Sequence, residues 1–271
     1  MHKALVVSIL GGTAAIALCA ASEGSAAQPD YEKFAGIWEV SPHRPGPAPF
    51  GGERRRPAPG RPGQGGAQPG GDGPEGDDGR ELGGPDIEGL DRGDRMTYRQ
   101  MTPAGKAAFE AMDPHDLPAN NCRSNGLPSL IAIPDVQQWS FDGDVLTIHY
   151  ADFNTRRTIH LNGAAAPAGQ HTMYGYSVGS FDGGVLTVTT TGYTATPGGL
   201  GRNAPGSASR RTVETYRLSP DGQSIGGTLT VHDPEYLTHD LVLPIALTRN
   251  ADLTSIEEVP CDVGASQRYL E

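Results

Sequence analysis

Phe141-Asp-Gly-Asp-Val-Leu-Thr-Ile148 and Phe181-Asp-Gly-Gly-Val-Leu-Thr-Val188 are one phrase written twice in this chain. In each, an Asp-Gly turn leads into a short strand rich in β-branched residues. A looser third copy runs from Pro220-Asp-Gly-Gln223 to Leu229-Thr-Val231. Strands with turn signals at this spacing and no helices between them predict an antiparallel meander. The ladder is expected to close with Leu241–Leu247 and then Ser255–Cys261, and Pro244, which has no N–H to give, marks an edge or bulge. Roughly eight to ten such strands favour a closed up-and-down barrel over a sandwich. The expected fold class is therefore all-β, an antiparallel up-and-down barrel with one short helix before it.

The hairpin at 144–161 sets which side chains face inward. If Tyr150 pairs with Thr155 across Ala151-Asp-Phe-Asn154, then Ile148 faces Arg157 and Leu146 faces Ile159. The period of two puts Leu146, Ile148, Tyr150, Arg157, Ile159 and Leu161 on one face. Thr147, His149, Arg156, Thr158 and His160 form the other, solvent-like face. An arginine on the apolar face needs a partner, because an unpaired buried charge is very costly. Glu214 has the parity of the inward-looking Tyr216 and Leu218 and is the candidate. Arg157 thus reads as half of a structural ion pair across the barrel, as the anchor of a ligand's carboxylate or carbonyl, or as an arginine that snorkels out of the strand end. The candidate ligand-binding set is Arg157, Glu214, Tyr150, Tyr176, Ser177 and Tyr216. Tyr176 and Ser177 are neighbours on one strand, so a regular strand admits only one of them to the interior.

Upstream, Thr102 as N-cap and Pro103 at the first helical position predict a helix through Met112, stopped by Asp113-Pro114. Residues 42–95 read as a linker. About half of 42–89 is Gly or Pro, and such a stretch buries too little apolar surface to offset its conformational entropy, so disorder is expected. Phe34-Ala-Gly-Ile-Trp38 reads as an ordered start before it, so 28–41 and 96–271 belong to one barrel domain interrupted by an insertion. Residues 1–27 combine Lys3, an apolar run Ala4–Ala20 and Ser25-Ala-Ala27, the pattern of a signal peptide cut before Gln28. The run is too short for a convincing membrane anchor, and Leu18 before Cys19 does not fit a lipoprotein. A periplasmic or secreted protein without stable membrane insertion is expected.

The net charge of −11 argues against nucleic acid and anionic lipid as partners. Arg54-Arg55-Arg56 is the local exception, and it sits among prolines and glycines. Of three cysteines, Cys19 leaves with the signal segment, and Cys122 and Cys261 most simply form one disulfide in an oxidising compartment. A metal or catalytic role for them is the alternative, without a C-x-x-C or an adjacent histidine. His149 and His160 sit diagonally apart without a metal-ligand motif, while His232 and His239 bracket a short loop at Asp233-Pro234, are slightly better placed, and read as exposed. No G-x-S-x-G surrounds Ser177, and no dinucleotide or Walker glycine pattern occurs, so no cofactor, no metal and no catalytic residue are assigned.

Gly36-Ile-Trp38, Thr102-Pro-Ala-Gly105, Cys122 with Pro128, Arg156-Arg-Thr-Ile159, Gly175-Tyr-Ser-Val-Gly179, Leu186–Tyr193, Val213-Glu214, Asp233-Pro234 and Cys261 occur in an order that resembles a family of uncharacterised exported bacterial proteins with a lipocalin-like β-barrel. The resemblance covers most of the chain outside the linker. It implies the barrel and the paired cysteines, and no activity. Tyr176 stands where members often carry histidine, Thr189 where aspartate is common, and Leu241 near the usual tryptophan. Those departures favour binding over catalysis. The leading expectation is a small apolar or amphipathic molecule held inside the barrel. The alternatives are an isomerase, lyase or cyclase using acid/base chemistry in the same cavity, and a cell-envelope interaction protein. Oligomeric state is left open.

Overall fold

A computed structural model of the chain describes residues 30–41 and 92–270. The expected signal peptide, the Gly/Pro-rich stretch up to residue 91 and the Arg54-Arg55-Arg56 run lie outside the described residues.

Nine strands close into a barrel in sequence order. They are β1 (Gly36–Val40), β2 (Val136–Asp142), β3 (Val145–Tyr150), β4 (Arg156–His160), β5 (Tyr176–Asp182), β6 (Val185–Thr191), β7 (Arg211–Leu218), β8 (Ser224–His232) and β9 (Leu241–Arg249). The repeated phrase forms two equivalent hairpins, β2–β3 and β5–β6, and β2 and β5 share one alternating burial pattern. Their two-residue turns carry Gly143 and Gly183 at φ of 52° and 54°, a region where glycine costs least.

One strand pair departs from the expected meander. β4 and β5 are parallel, with Ile159 opposite Ser177 and His160 opposite Val178, whereas every other neighbouring pair is antiparallel. The all-antiparallel expectation is therefore corrected to a mixed barrel. The reason is arithmetic: a ring of sequential strands can alternate direction all the way round only if their number is even. Residues 161–175 supply the long return along the barrel that a parallel neighbour needs. Ser255–Cys261 also departs from expectation, since it is not a strand. β9 already pairs with β8 on one side and β1 on the other, which leaves no edge for it to join. Pro244 lies opposite Thr228, beyond the described β1–β9 pairs, where its missing N–H removes no described ladder bond.

The expected helix is α2 (Pro103–Glu110), with the Thr102 hydroxyl accepting from the Gly105 N–H at 3.1 Å. Two further helices precede the barrel wall, α1 (Arg92–Arg99) and α3 (Ser129–Ala132), and α4 (Val263–Gln267) follows it. α1 begins inside the stretch read as linker. Half of its eight residues are charged and only Met96 and Tyr98 are large and apolar, so the sequence carries little apolar period to announce it. Cys122 and Cys261 are joined, with Cα atoms 5.8 Å apart, tying the connection between β1 and β2 to the chain after β9. Among the described residues, no helix is long and apolar enough to cross a membrane.

The two ends of the barrel differ. At one end lie the short turns between β2 and β3, β5 and β6, and β7 and β8. A 3-10 turn, Asp30–Phe34, plugs that end: Tyr31 stacks on Phe141 at 5.2 Å, and Phe34 lies 6.3 Å from the Trp139 ring and meets Phe181 edge-on at 6.0 Å. The other end carries every long connection that starts and finishes there: the segment holding α1, α2 and α3, residues 151–155, 192–210 and 233–240.

Candidate functional site

The hairpin β3–β4 has the register read from its sequence. Ile148 pairs with Arg157, Leu146 with Ile159, and the Tyr150 N–H donates to the Thr155 carbonyl. Arg157 therefore points inward, and its residue is only 5% exposed. Its guanidinium donates from Nη1 to Glu214 Oε2 at 2.7 Å, from Nη2 to Glu214 Oε1 at 2.6 Å and to Thr190 Oγ1 at 2.8 Å, and from Nε to Ser177 Oγ at 3.0 Å. Tyr216 donates its hydroxyl to Glu214 Oε2 at 2.5 Å. The bidentate geometry is the strong form of a carboxylate–arginine pair. Burial alone would lower the Arg157 pKa, but the Glu214 charge and hydrogen bonds more than offset this and hold it well above the ordinary value. Burial first, and the Glu214 charge next, push Tyr216 well up.

Five of the six sequence-derived residues thus converge: Arg157, Glu214, Ser177 and Tyr216 bond into one cluster, and Tyr150 lies buried beside them. The Tyr150 hydroxyl meets no partner at hydrogen-bonding geometry, and burial pushes its pKa up to about 12 against the opposing pull of Arg157. Tyr176 is separate. It is on the outer face, half-buried, with its ring stacked 4.7 Å from His160. The cluster satisfies itself chemically. Four guanidinium bonds are used internally, and three of the roughly four acceptor positions of the Glu214 carboxylate are filled from within the cluster. Trp139 closes over Tyr216 edge-on at 5.0 Å.

His149, expected on the solvent-like face, is 6% exposed. The C-terminal segment reaches this face through an ion pair between Arg156 and Glu258 at 3.0 Å. Burial, reinforced by Arg156 and opposed by Glu258, lowers the His149 pKa. A second inward arginine went unread in the sequence. Arg210 is 2% exposed, stacks 4.2 Å from the Tyr193 ring centre and donates from Nη1 to the Gly199 carbonyl. A Cβ on Gly199 or Gly206 would run into this guanidinium, which is why both positions are glycine.

A groove of about 550 Å3 opens at the end that carries the long connections. None of the Arg157–Glu214 cluster lines it. Its walls come from five separate parts of the chain: Met96 and Thr97 of α1, Pro128, Ser129 and Ala132 beside and within α3, Asp152 and Phe153 of the β3–β4 turn, Leu200 and Arg202 of the 192–210 connection, and Leu241 and Leu243 of β9. The lining is mainly apolar with a few convergent polar groups, and its volume falls in the range that small-molecule sites occupy. Leu241 and Leu243 share the parity of the inward Ile245 and Leu247, so the floor of the groove continues the barrel interior.

Two carboxylates line this groove, and they are in different states. Asp94 is 2% exposed and is engaged by Asn203, whose backbone N–H and Nδ2 donate to it at 3.3 and 2.8 Å. Asp152 has a buried Oδ2 with no hydrogen-bond partner. Burial raises its pKa and Asp135 adds to this, while the Ser124 hydroxyl and Arg202 pull it down. Phe153 and Asn154 beside it sit at φ of 48° and 53°, the left-handed region that bulky side chains avoid and that concentrates at functional sites. The sequence offered one local signal for this place, an aromatic residue inside an otherwise polar turn. No family model matches the chain, and a search of curated proteins finds no match.

Proposed function

We propose that this protein binds a small amphipathic molecule, and that the molecule sits in the groove at the long-connection end, above the barrel interior. The observation that carries the reading is the joining of an apolar floor, Leu241 and Leu243, to an unpartnered carboxylate oxygen on Asp152 at one wall. The barrel axis at the level of Arg157 is taken up by protein: Arg157, Glu214, Ser177, Thr190 and Tyr216 meet there and bond to one another. That cluster then acts as the rigid base of the site, a role consistent with its buried bidentate pair. On this reading the chain is an exported, lipocalin-like barrel of the family it resembles. The Cys122–Cys261 disulfide supports an oxidising location, because such bonds persist there.

The test is a titration with the apolar fluorophore N-phenyl-1-naphthylamine. The wild-type chain is expected to give a saturable rise in emission. Ala132, exposed on the groove wall, offers a way to block the site without disturbing the core. Ala132→Trp should remove the rise while leaving the melting temperature unchanged. No saturable rise in the wild type, or an identical curve in Ala132→Trp, rules the groove out as the binding site.

A further inference from the structure

Around the β3–β4 turn, three buried oxygens meet no donor at hydrogen-bonding geometry, Asp152 Oδ2, Asn125 Oδ1 and Asn154 Oδ1, while the Ser124 hydroxyl acts on the Asp152 carboxyl group. Two of these residues, Asp152 and Asn125, line the groove. Asn125 is only 5% exposed, and its amide orientation is fixed because Nδ2 donates to the Arg202 carbonyl at 2.8 Å, which turns Oδ1 away from that bond. Buried acceptors left without donors are costly, and native structures keep few of them. Here all three are acceptors, and two of them, on Asn125 and Asp152, belong to residues from separate segments that line the same groove.

From this we infer that the ligand is an amphipathic amine, whose protonated nitrogen donates to Asp152 and Asn125 while its apolar tail lies against Leu241 and Leu243. The inference rests on the groove being a binding site. An ammonium supplies what the wall lacks, namely several N–H donors on one positive atom. It also suits a chain of net charge −11, whose field draws cations. Asp94 does not compete for the ammonium, because Asn203 already donates to both of its oxygens. A bare metal ion is a poorer fit: a hard cation takes six or more oxygens, and the neighbouring walls are hydrocarbon. Among the described residues that line the groove, Arg202 is the one cation. It is exposed, so its charge is screened by solvent, and its backbone carbonyl is already committed to Asn125.

Displacement of N-phenyl-1-naphthylamine by decylammonium, decanol and decanoate at neutral pH separates the possibilities, since the three share a tail and differ only at the head. Decylammonium is expected to displace the probe at a concentration about tenfold lower than decanoate, a difference of about 1.4 kcal/mol. Asp152→Asn keeps the shape of the side chain and removes its charge, and it should erase most of that preference while leaving decanol unchanged. Decanoate binding as well as or better than decylammonium overturns the amine assignment, and loss of that binding in Arg202→Ala would place an anion there. A preference for decylammonium that survives Asp152→Asn overturns it too. Failure of the probe and of all three ligands to bind is a different result, and it removes the binding reading itself.

Discussion

The two ends of this barrel are made of the same kind of strand and finished in opposite ways. At the short-turn end, two-residue loops bring the chain straight back, and the 3-10 turn at 30–34 lays Tyr31 and Phe34 on Phe141, Phe181 and Trp139. That end is a packed aromatic lid. At the other end long connections arch over the rim, and the groove lies between the segment holding α1 and α3, residues 151–155, residues 192–210 and the start of β9. Tight turns fix register and seal a core, whereas long loops carry the polar and strained residues that chemistry uses. The Arg157–Glu214 cluster lies inside the wall between the two ends and keeps them apart.

The largest effect expected from breaking this arrangement is at that cluster. Glu214→Ala leaves the Arg157 charge buried without its counter-ion, and it should cost about 3–5 kcal/mol in urea unfolding. Replacing both partners, Arg157→Met with Glu214→Leu, should recover most of that loss, because the pair's attraction mainly offsets its own desolvation. A double variant as unstable as the single one would show that the cluster's geometry, more than its charge balance, supports the barrel.

At the short-turn end, Phe34→Ala empties part of the lid and should cost about 3–4 kcal/mol, the usual range for a buried phenylalanine. It should leave probe binding unchanged, since none of the lid aromatics reaches the groove. Reduced binding in Phe34→Ala would mean that the two ends are coupled through the core.

How much of this was legible in the chain follows the same division. The repeated Phe-Asp-Gly phrase encodes the short turns locally, and the 144–161 register followed because alternation and turn length admit one solution. Glu214 was found as the partner of Arg157 by parity alone. The parallel β4–β5 contact was not legible, because residues 161–175 carry turn formers but nothing that states the direction of return. The groove was less legible still. Asn125, Asp152, Arg202 and Leu243 lie far apart in sequence, and each is unremarkable within its own segment. Arg210 escaped for a related reason: its partners are a loop carbonyl at Gly199 and the face of Tyr193, and neither leaves a periodic trace.

The disulfide belongs to the long-connection end, where it ties residue 122 to residue 261 across most of the barrel sequence. Replacing both cysteines, Cys122→Ser with Cys261→Ser, should cost about 2–4 kcal/mol, chiefly by freeing the unfolded chain. Calorimetry on the oxidised wild type and the double variant measures it. A loss confined to the long-connection end would also appear as faster amide exchange in 118–125 than in β6 and β7.

The smallest expected effect is a pH dependence that distinguishes the ends. His149 is buried on the outer face near the long-connection rim, and its folded-state pKa lies below that of a free histidine, first through burial and then through Arg156, with Glu258 opposing. Between the free value, about 6.5, and the lowered folded value, the unfolded chain binds a proton that the folded chain does not. The His149 contribution to stability is therefore complete above that free value, shrinks as pH falls through the window, and levels off below the folded pKa. The urea midpoint, followed from neutral pH downward, should fall more steeply for the wild type than for His149→Gln. Asp152 works in the opposite sense, since a raised carboxyl pKa favours the folded state as it takes up its proton. Equal slopes in the two proteins would mean that the C-terminal segment does not stay over β3 in solution, and that the long-connection rim is looser than its contacts imply.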